Sequence, residues 1–168
     1  MGGTVALLAS ADRGGGESGG SACRRRELNM RLMALDIGER RIGVAVSESG
    51  FFAAPHSVIY RKSRREDFAR IRRLVEDLRI DRLIIGLPYS LSGPDPIGPQ
   101  ARWIMHYADA LCAELSIPCE YFDESYSTAD AEAFLAQSGG KKTPIDAAAA
   151  AVILQNYLDA KMQGNRQE

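Results

Sequence analysis

Apolar and polar positions along this chain follow two different periods. Leu32 to Leu35 form an uninterrupted apolar run, as in a strand covered on both faces. Ile42, Val44 and Val46 then alternate with Gly43 and Ala45, and this period of two predicts a second strand, hinged to the first at Gly38. Ser57 to Tyr60 predicts a third strand, entered through Pro55. Beyond it the period lengthens. Phe68, Ile71, Leu74, Val75 and Leu78 recur at helical spacing, behind Ser63 as N-cap and Glu66 as its capping-box partner. Arg82-Leu-Ile-Ile-Gly-Leu-Pro88 predicts a central fourth strand that ends at Gly86-Leu-Pro88. Residues 100 to 116 return to helical spacing through Ile104, Tyr107, Ala108, Leu111 and Leu115, and Cys119 to Asp123 predicts a fifth strand. A short helix from about 129 to 137 stops at Gly139-Gly140. The last helix opens at Thr143-Pro144 and carries a small-residue stretch, Ala147 to Ala151, before Val152, Ile153, Leu154, Tyr157 and Leu158.

An early meander followed by strand–helix–strand crossovers predicts an α/β fold with a mixed five-stranded sheet flanked by helices. The first three strands are expected to be antiparallel and the later crossovers parallel, which is the element order of the RNase H-like fold. The expected domain spans 30–163. A Gly/Ser-rich extension, 1–29, is expected to be disordered, because residues 2 to 20 hold many glycines and little that is large enough to bury, and 164–168 form a short tail. Met30 stands immediately before the first strand, where a functional chain can begin.

Composition narrows the classes. At 168 residues the chain is long enough for one well-buried core. Twenty-one basic residues face 22 acidic ones, so any nucleic-acid surface must be a local patch. Residues 61 to 82 hold the largest such surplus, nine basic side chains against five acidic, on a helix whose ordinary role is a solvated face. Arg24-Arg25-Arg26 is read as a solvated run. Three irregularly spaced cysteines argue against a disulfide framework or a Cys-rich zinc site, and Cys112 and Cys119 are expected to be inert core thiols in a reducing cytosol. No apolar run is long enough to span a bilayer, and the first residues do not form a signal peptide.

The candidate chemistry is carboxylate chemistry. Asp36 sits where a buried strand gives out, so it is either hydrogen-bonded for structure or positioned to hold a cation. A Gly/Pro-rich loop, Ser92 to Pro99, follows the central strand, where open α/β sheets place ligands or simply turn the chain. Trp103, in the helix beyond, reads equally as core or as a stacking platform. Asp123 and Glu124 close the fifth strand with no basic neighbour in sequence. Asp146 lies in the first turn of the last helix, where an acid ordinarily just complements the helix dipole. In the expected sheet, however, Asp36, Glu124 and Asp146 can converge on one edge. Three converging carboxylates require a cation, and all-oxygen ligation suits Mg²⁺ or Mn²⁺. Paired ions of this kind drive in-line phosphodiester hydrolysis. His56 and His106 read as packing or surface residues, and nothing resembles a nucleophile elbow.

These residues also carry a resemblance. Asp36-Ile-Gly-Glu-Arg-Arg-Ile-Gly-Val-Ala45, Ile85-Gly-Leu-Pro88, Gly98-Pro-Gln-Ala101, Asp123-Glu-Ser-Tyr-Ser-Thr128 and Asp146 to Gln155 resemble, in order, the motifs of the YqgF family. That family is described as Holliday-junction resolvases and pre-16S rRNA nucleases, RNase H-like and related to RuvC. The resemblance covers about 31 to 160. It implies metal-binding, catalytic roles for Asp36, Glu124 and Asp146, and 5′-end processing of 16S rRNA. It also implies ribosomal precursor particles or branched DNA as partners. Arg41 matches the family's basic residue after the first strand, and Lys141 and Lys142 keep the loop before Asp146 basic, although that loop is short for the family. Gly38, Gly43, Gly86 and Pro88 are the structural positions of the motifs. Family members place Arg after the Asp-Glu pair, where this chain has Ser125.

Three readings follow. The first is a metal-dependent nuclease acting on structured RNA or on four-way DNA, expected to be cytoplasmic and a monomer or weak dimer. The second is a non-catalytic RNA-binding assembly factor, favoured by Ser125. The third is a sugar-kinase or actin-like ATPase, since Asp-x-Gly after a first strand opens that fold too. Such enzymes need two similar lobes, and the sequence contains no internal repeat to supply the second.

Overall fold

In the computed structural model, which describes residues 30–89, 94–95, 97–123, 133, 136 and 144–164, the sheet grows both ways from a buried strand, β1 (Leu32–Ile37). On one side β1 pairs antiparallel with β2 (Arg41–Ser47), which pairs antiparallel with β3 (Ala54–Tyr60). On the other it pairs parallel with β4 (Arg82–Leu87), and β4 with β5 (Cys119–Asp123). The order β3-β2-β1-β4-β5 is the mixed sheet expected. One detail differs. Pro55 lies inside β3, beside a register shift at Val44/Ala45, and not ahead of the strand. Because β3 is an edge strand, a missing N–H costs no second ladder bond there.

Among the described residues three full helices flank this sheet: α1 (Arg64–Asp77), α2 (Pro99–Glu114) and α3 (Ile145–Gly164). Strand alternation assigns them to faces. Met33, Leu35 and Ile37 of β1 pack with Phe68, Ile71 and Val75 of α1 and with Ile104, Tyr107 and Leu111 of α2. Leu32 and Ala34 face the other way, where Ala45 and Ile84 meet Ala150, Ala151, Leu154 and Leu158 of α3. Ala133 and Ala136 are helical, and the remainder of the helix expected over 129–137 lies outside the described residues. No helix among the described residues is long and apolar enough to cross a membrane.

Local sequence explains the helix ends. The Ser63 hydroxyl accepts from the Glu66 N–H at 3.2 Å and donates to the Glu66 carboxylate at 2.9 Å, which caps α1 as expected. At the other end the Ile80 N–H donates to the Val75 carbonyl and the Arg79 N–H to that of Glu76, a Schellman closure. Arg79 takes the left-handed position of that motif, with φ 53°.

The cysteines require a correction. Cys112 and Cys119, expected as separate inert thiols, form a disulfide with a Cα–Cα separation of 6.2 Å. The tight connection between α2 and β5 folds the chain back on itself and brings two half-buried cysteines within bonding reach. Cysteine parity carried no information about that reversal.

A side chain in the left-handed region costs roughly 1 kcal/mol that glycine avoids. Arg79→Gly is therefore expected to raise stability by about 0.5–1 kcal/mol, measured as a shift in the urea midpoint at unchanged slope.

Candidate functional site

The site is built where β1, β2 and α3 meet. Asp36 stands near the end of β1 and pairs across the ladder with Gly43 of β2. The intervening turn is closed by the Gly38 N–H donating to the Arg41 carbonyl at 2.9 Å, and a Cβ on Gly38 would stand only 2.8 Å from that oxygen. The first turn of α3 passes directly over Gly43. A Cβ there would run into the Asp146 carbonyl oxygen and lie 3.2 Å from the Ala147 nitrogen. Glycine is required because backbone fills the space a side chain would need. Ala147 and Ala148, both buried, continue the close contact. Two acids distant in sequence, Asp36 and Asp146, thus share one corner.

Electrostatics reflect that proximity. Burial, and secondarily the neighbouring charge of Asp146, push the Asp36 carboxyl up from 3.8 to about 6. The Arg41 Nε lies 3.4 Å from Asp146 Oδ2, with Arg41 about half exposed (52%) and Asp146 less so (25%). Asp36, Arg41 and Asp146 are therefore brought together. The two carboxylates offer hard oxygen donors of like charge, partly withdrawn from water, which fits Mg²⁺ or Mn²⁺ and not a soft metal.

Glu124 lies outside the described residues, one position beyond Asp123 at the end of β5. Ser125, Lys141 and Lys142 are also outside them. Among the described residues no three His, Cys, Asp or Glu side chains form a metal cluster. Gly86 is buried in β4 opposite Phe122, and Pro88 follows the strand, half-buried. His56 and His106 are exposed.

Two arrangements were not read from the sequence. Asp67 is 2% exposed and accepts from Arg61 Nε at 3.3 Å, the Lys62 N–H at 3.1 Å and the Tyr107 hydroxyl at 3.2 Å. Burial and Asp67 together push the Tyr107 phenol up. Arg61 also donates to the carbonyls of Gly38 (2.9 Å) and Glu39 (3.2 Å), so it pins the turn beyond Asp36. Separately, the Gln155 carboxamide accepts from the Ala53 N–H at 3.0 Å and donates to the Phe51 carbonyl at 3.1 Å, tying the β2–β3 connection to α3. Neither contact has a periodic signature. The one cue was an acid and a base flanking a helix cap.

The fold is RNase H-like, of the kind found in solved resolvases. Thermus thermophilus RuvC, solved with a Holliday junction substrate, superposes with a TM-score of 0.55 at 15% identity, over 80% of this chain and 96% of RuvC. The fowlpox virus resolvase, solved with junction DNA, gives 0.53 at 10% identity over 79% and 99%. Sequence comparison names the family: the model for RuvX, described as Holliday junction resolvase, matches residues 30–160, and the chain belongs to that family, also called YqgF. It is 42% identical over 135 residues (77% of this chain, 87% of the relative) to a protein of Chloroflexus aurantiacus named "Putative pre-16S rRNA nuclease". Relatives with the same name in Thermosynechococcus vestitus and Thermoanaerobacter pseudethanolicus are 39% and 37% identical, over 79% of this chain and 89% and 98% of theirs.

Gly43→Ala is expected to displace the start of α3 and cost at least about 2 kcal/mol, read as a lowered denaturation midpoint. Asp36 gives a pH signature. Its native proton affinity exceeds the unfolded one, so its contribution is fully present below pH 3.8 and is lost as pH rises through about 6. In chelator, Asp36→Asn should therefore gain on the wild type by up to about 3 kcal/mol between pH 4 and pH 8. A difference that does not vary with pH would show that Asp36 carries no such burden.

Proposed function

We propose that this protein is a divalent-metal-dependent nuclease that processes the 5′ end of pre-16S rRNA on ribosomal precursor particles in the cytoplasm. The observation that carries the reading is the meeting of Asp36 and Asp146 over Gly43, where burial and like charge leave a carboxylate pair that a hard cation would relieve. The names of the relatives supply the substrate class.

In this reading Asp36, Asp146 and Glu124 hold Mg²⁺ or Mn²⁺. The chemistry such ions supply is an acidified water and neutralisation of charge at the phosphorus. The protein's own residues do the rest. Asp36 is carried by a buried strand paired on both sides, which fixes its backbone at this corner. Asp146 is placed by the contact between α3 and Gly43, which involves no mobile side chain. Arg41, at the start of β2 and about half exposed, restrains Asp146 and presents positive charge to an approaching phosphate. Lys141 and Lys142 extend that charge along the segment before α3. Gly38 and Gly43 set the turn and the approach, and Gly86 and Pro88 shape the end of the neighbouring strand. Domain limits of 30–163 follow from this assignment.

A second reading, cleavage of four-way DNA, is favoured by the description of the family model. The two separate in one assay. Purified protein with Mg²⁺ or Mn²⁺ is given precursor 16S RNA carrying its 5′ leader, and in parallel a four-way DNA junction. Cleavage of the RNA is expected, with Asp36→Asn lowering the rate at least about 100-fold while RNA affinity changes less than about threefold. Cleavage of the junction alone would move the assignment to DNA. No cleavage of either, with RNA still bound, would leave a binding protein and overturn the nuclease.

A further inference from the structure

We propose that Trp103 is a stacking platform for an unpaired nucleobase, placed near the strand ends that carry Asp36 and braced by Arg61 and Tyr107. The inference rests on nucleic acid being the ligand and is independent of cleavage. It explains a residue to which the nuclease reading gives no work.

Trp103 lies in the first half of α2, on the helical face next to the core, yet 39% of it is exposed. The core does not need it there, because Tyr107, one turn on and 2% exposed, already fills the gap against Phe68 with ring centroids 5.1 Å apart. Trp103 instead stacks beside Tyr107, with centroids 6.1 Å apart and planes 23° from parallel. The Arg61 guanidinium carbon is 5.0 Å from the Trp103 ring centre and 4.5 Å from that of Tyr107, and Arg64 stands 5.9 Å from Tyr107. Two aromatic rings and a cation thus brace one another and leave part of the indole open to solvent.

This group is held in advance of binding. The Arg61 side chain is 16% exposed and fixed by Asp67 and by the carbonyls of Gly38 and Glu39. Gly38 is two residues from Asp36 in the same turn, so a single guanidinium joins the platform to the strand end that bears the acid. Strand alternation places Asp36 on the α3 face of the sheet, Trp103 lies on α2 against the opposite face, and Arg61 ties the platform to the Gly38 turn at the edge formed by the strand ends. A strand crossing that edge would meet both. Exposed basic residues neighbour Arg61, namely Lys62, Arg64 and Arg65 along the chain and Arg40 through its carbonyl, which accepts from the Arg61 N–H, interspersed with Glu39 and Glu66. That mixture suits a phosphate backbone passing by, while the indole offers a π-face that accepts any base. A base inside a duplex is covered on both faces by its neighbours and offers nothing to the ring, so the expected ligand is single-stranded.

Trp103 is the chain's one tryptophan, so its emission reports on the platform directly. The full-length protein, in chelator to prevent cleavage, is titrated with a single-stranded oligouridylate of about 12 nucleotides and with a blunt RNA duplex of equal length. Binding of each is followed in parallel by anisotropy of a labelled copy. The expected result is quenching of Trp103 emission by a third or more at saturation with the single strand, and little change with the duplex. Trp103→Ala should weaken single-strand binding about 10-fold, with Trp103→Phe recovering most of that loss. Saturable single-strand binding with unchanged emission, or equal quenching by the duplex, overturns the platform and leaves the nuclease standing. Absence of binding to either RNA overturns the platform, and cleavage of precursor RNA in the separate assay then decides the nuclease reading by itself.

Discussion

The backbone contact between the first turn of α3 and Gly43 is the constraint on which the acidic corner depends. A helix ordinarily stands off a sheet by the thickness of its side chains, which would keep Asp146 well away from β1. Here that thickness is removed on both partners, by a glycine in β2 and by alanines at the start of α3. The consequence is electrostatic. Two carboxylates are brought close together where water is partly excluded, an arrangement that is unfavourable in isolation. Arg41 offsets part of the cost from the surface, and the packing of the two cores supplies the stability against which the remainder is set.

The two faces of the sheet have different duties. The α1/α2 face is filled with large side chains, including Met33, Leu35, Ile37, Ile71 and Leu111, and it supplies most of the apolar burial. The α3 face combines small residues, Ala34, Ala45, Ala150 and Ala151, with larger ones such as Leu154 and Leu158, and its small-residue part supplies position. Arg61 connects the two duties. It reaches from the buried Asp67 of α1 to the turn carrying Gly38, so the rigidity of the large-residue core is delivered to the strand end that bears Asp36. A buried acid–guanidinium pair is a poor source of net stability, but it specifies geometry well.

Much of this was legible in sequence, for reasons that differ by element. The strands and helices announced themselves through period two and period 3.6, and the order of elements then left few topologies. Ser63 and Glu66 marked a helix start because capping is a local matter settled within four residues. Asp36 alone was ambiguous. It became a candidate site residue only beside Glu124 and Asp146, and that partnership is tertiary. The role of Gly43 was visible as permission for something to approach, while the identity of the approaching group, the backbone of α3, was not. Asp67 was hidden because helical periodicity marks apolar residues as buried and gives an acid no means of declaring the same. The Cys112–Cys119 bond was missed because counting cysteines says nothing about a reversal of the chain between them.

The run of alanines in α3 has one more consequence. Alanine has no rotamers, so the depth at which the first turns of this helix rest is set largely by backbone and methyl groups. The stripe acts as a ruler of fixed length between the carboxylates at its end. Side-chain volume added at Ala147 or Ala148 would be converted directly into separation between Asp36 and Asp146. Residues with no functional group of their own thereby calibrate the spacing of the two carboxylates.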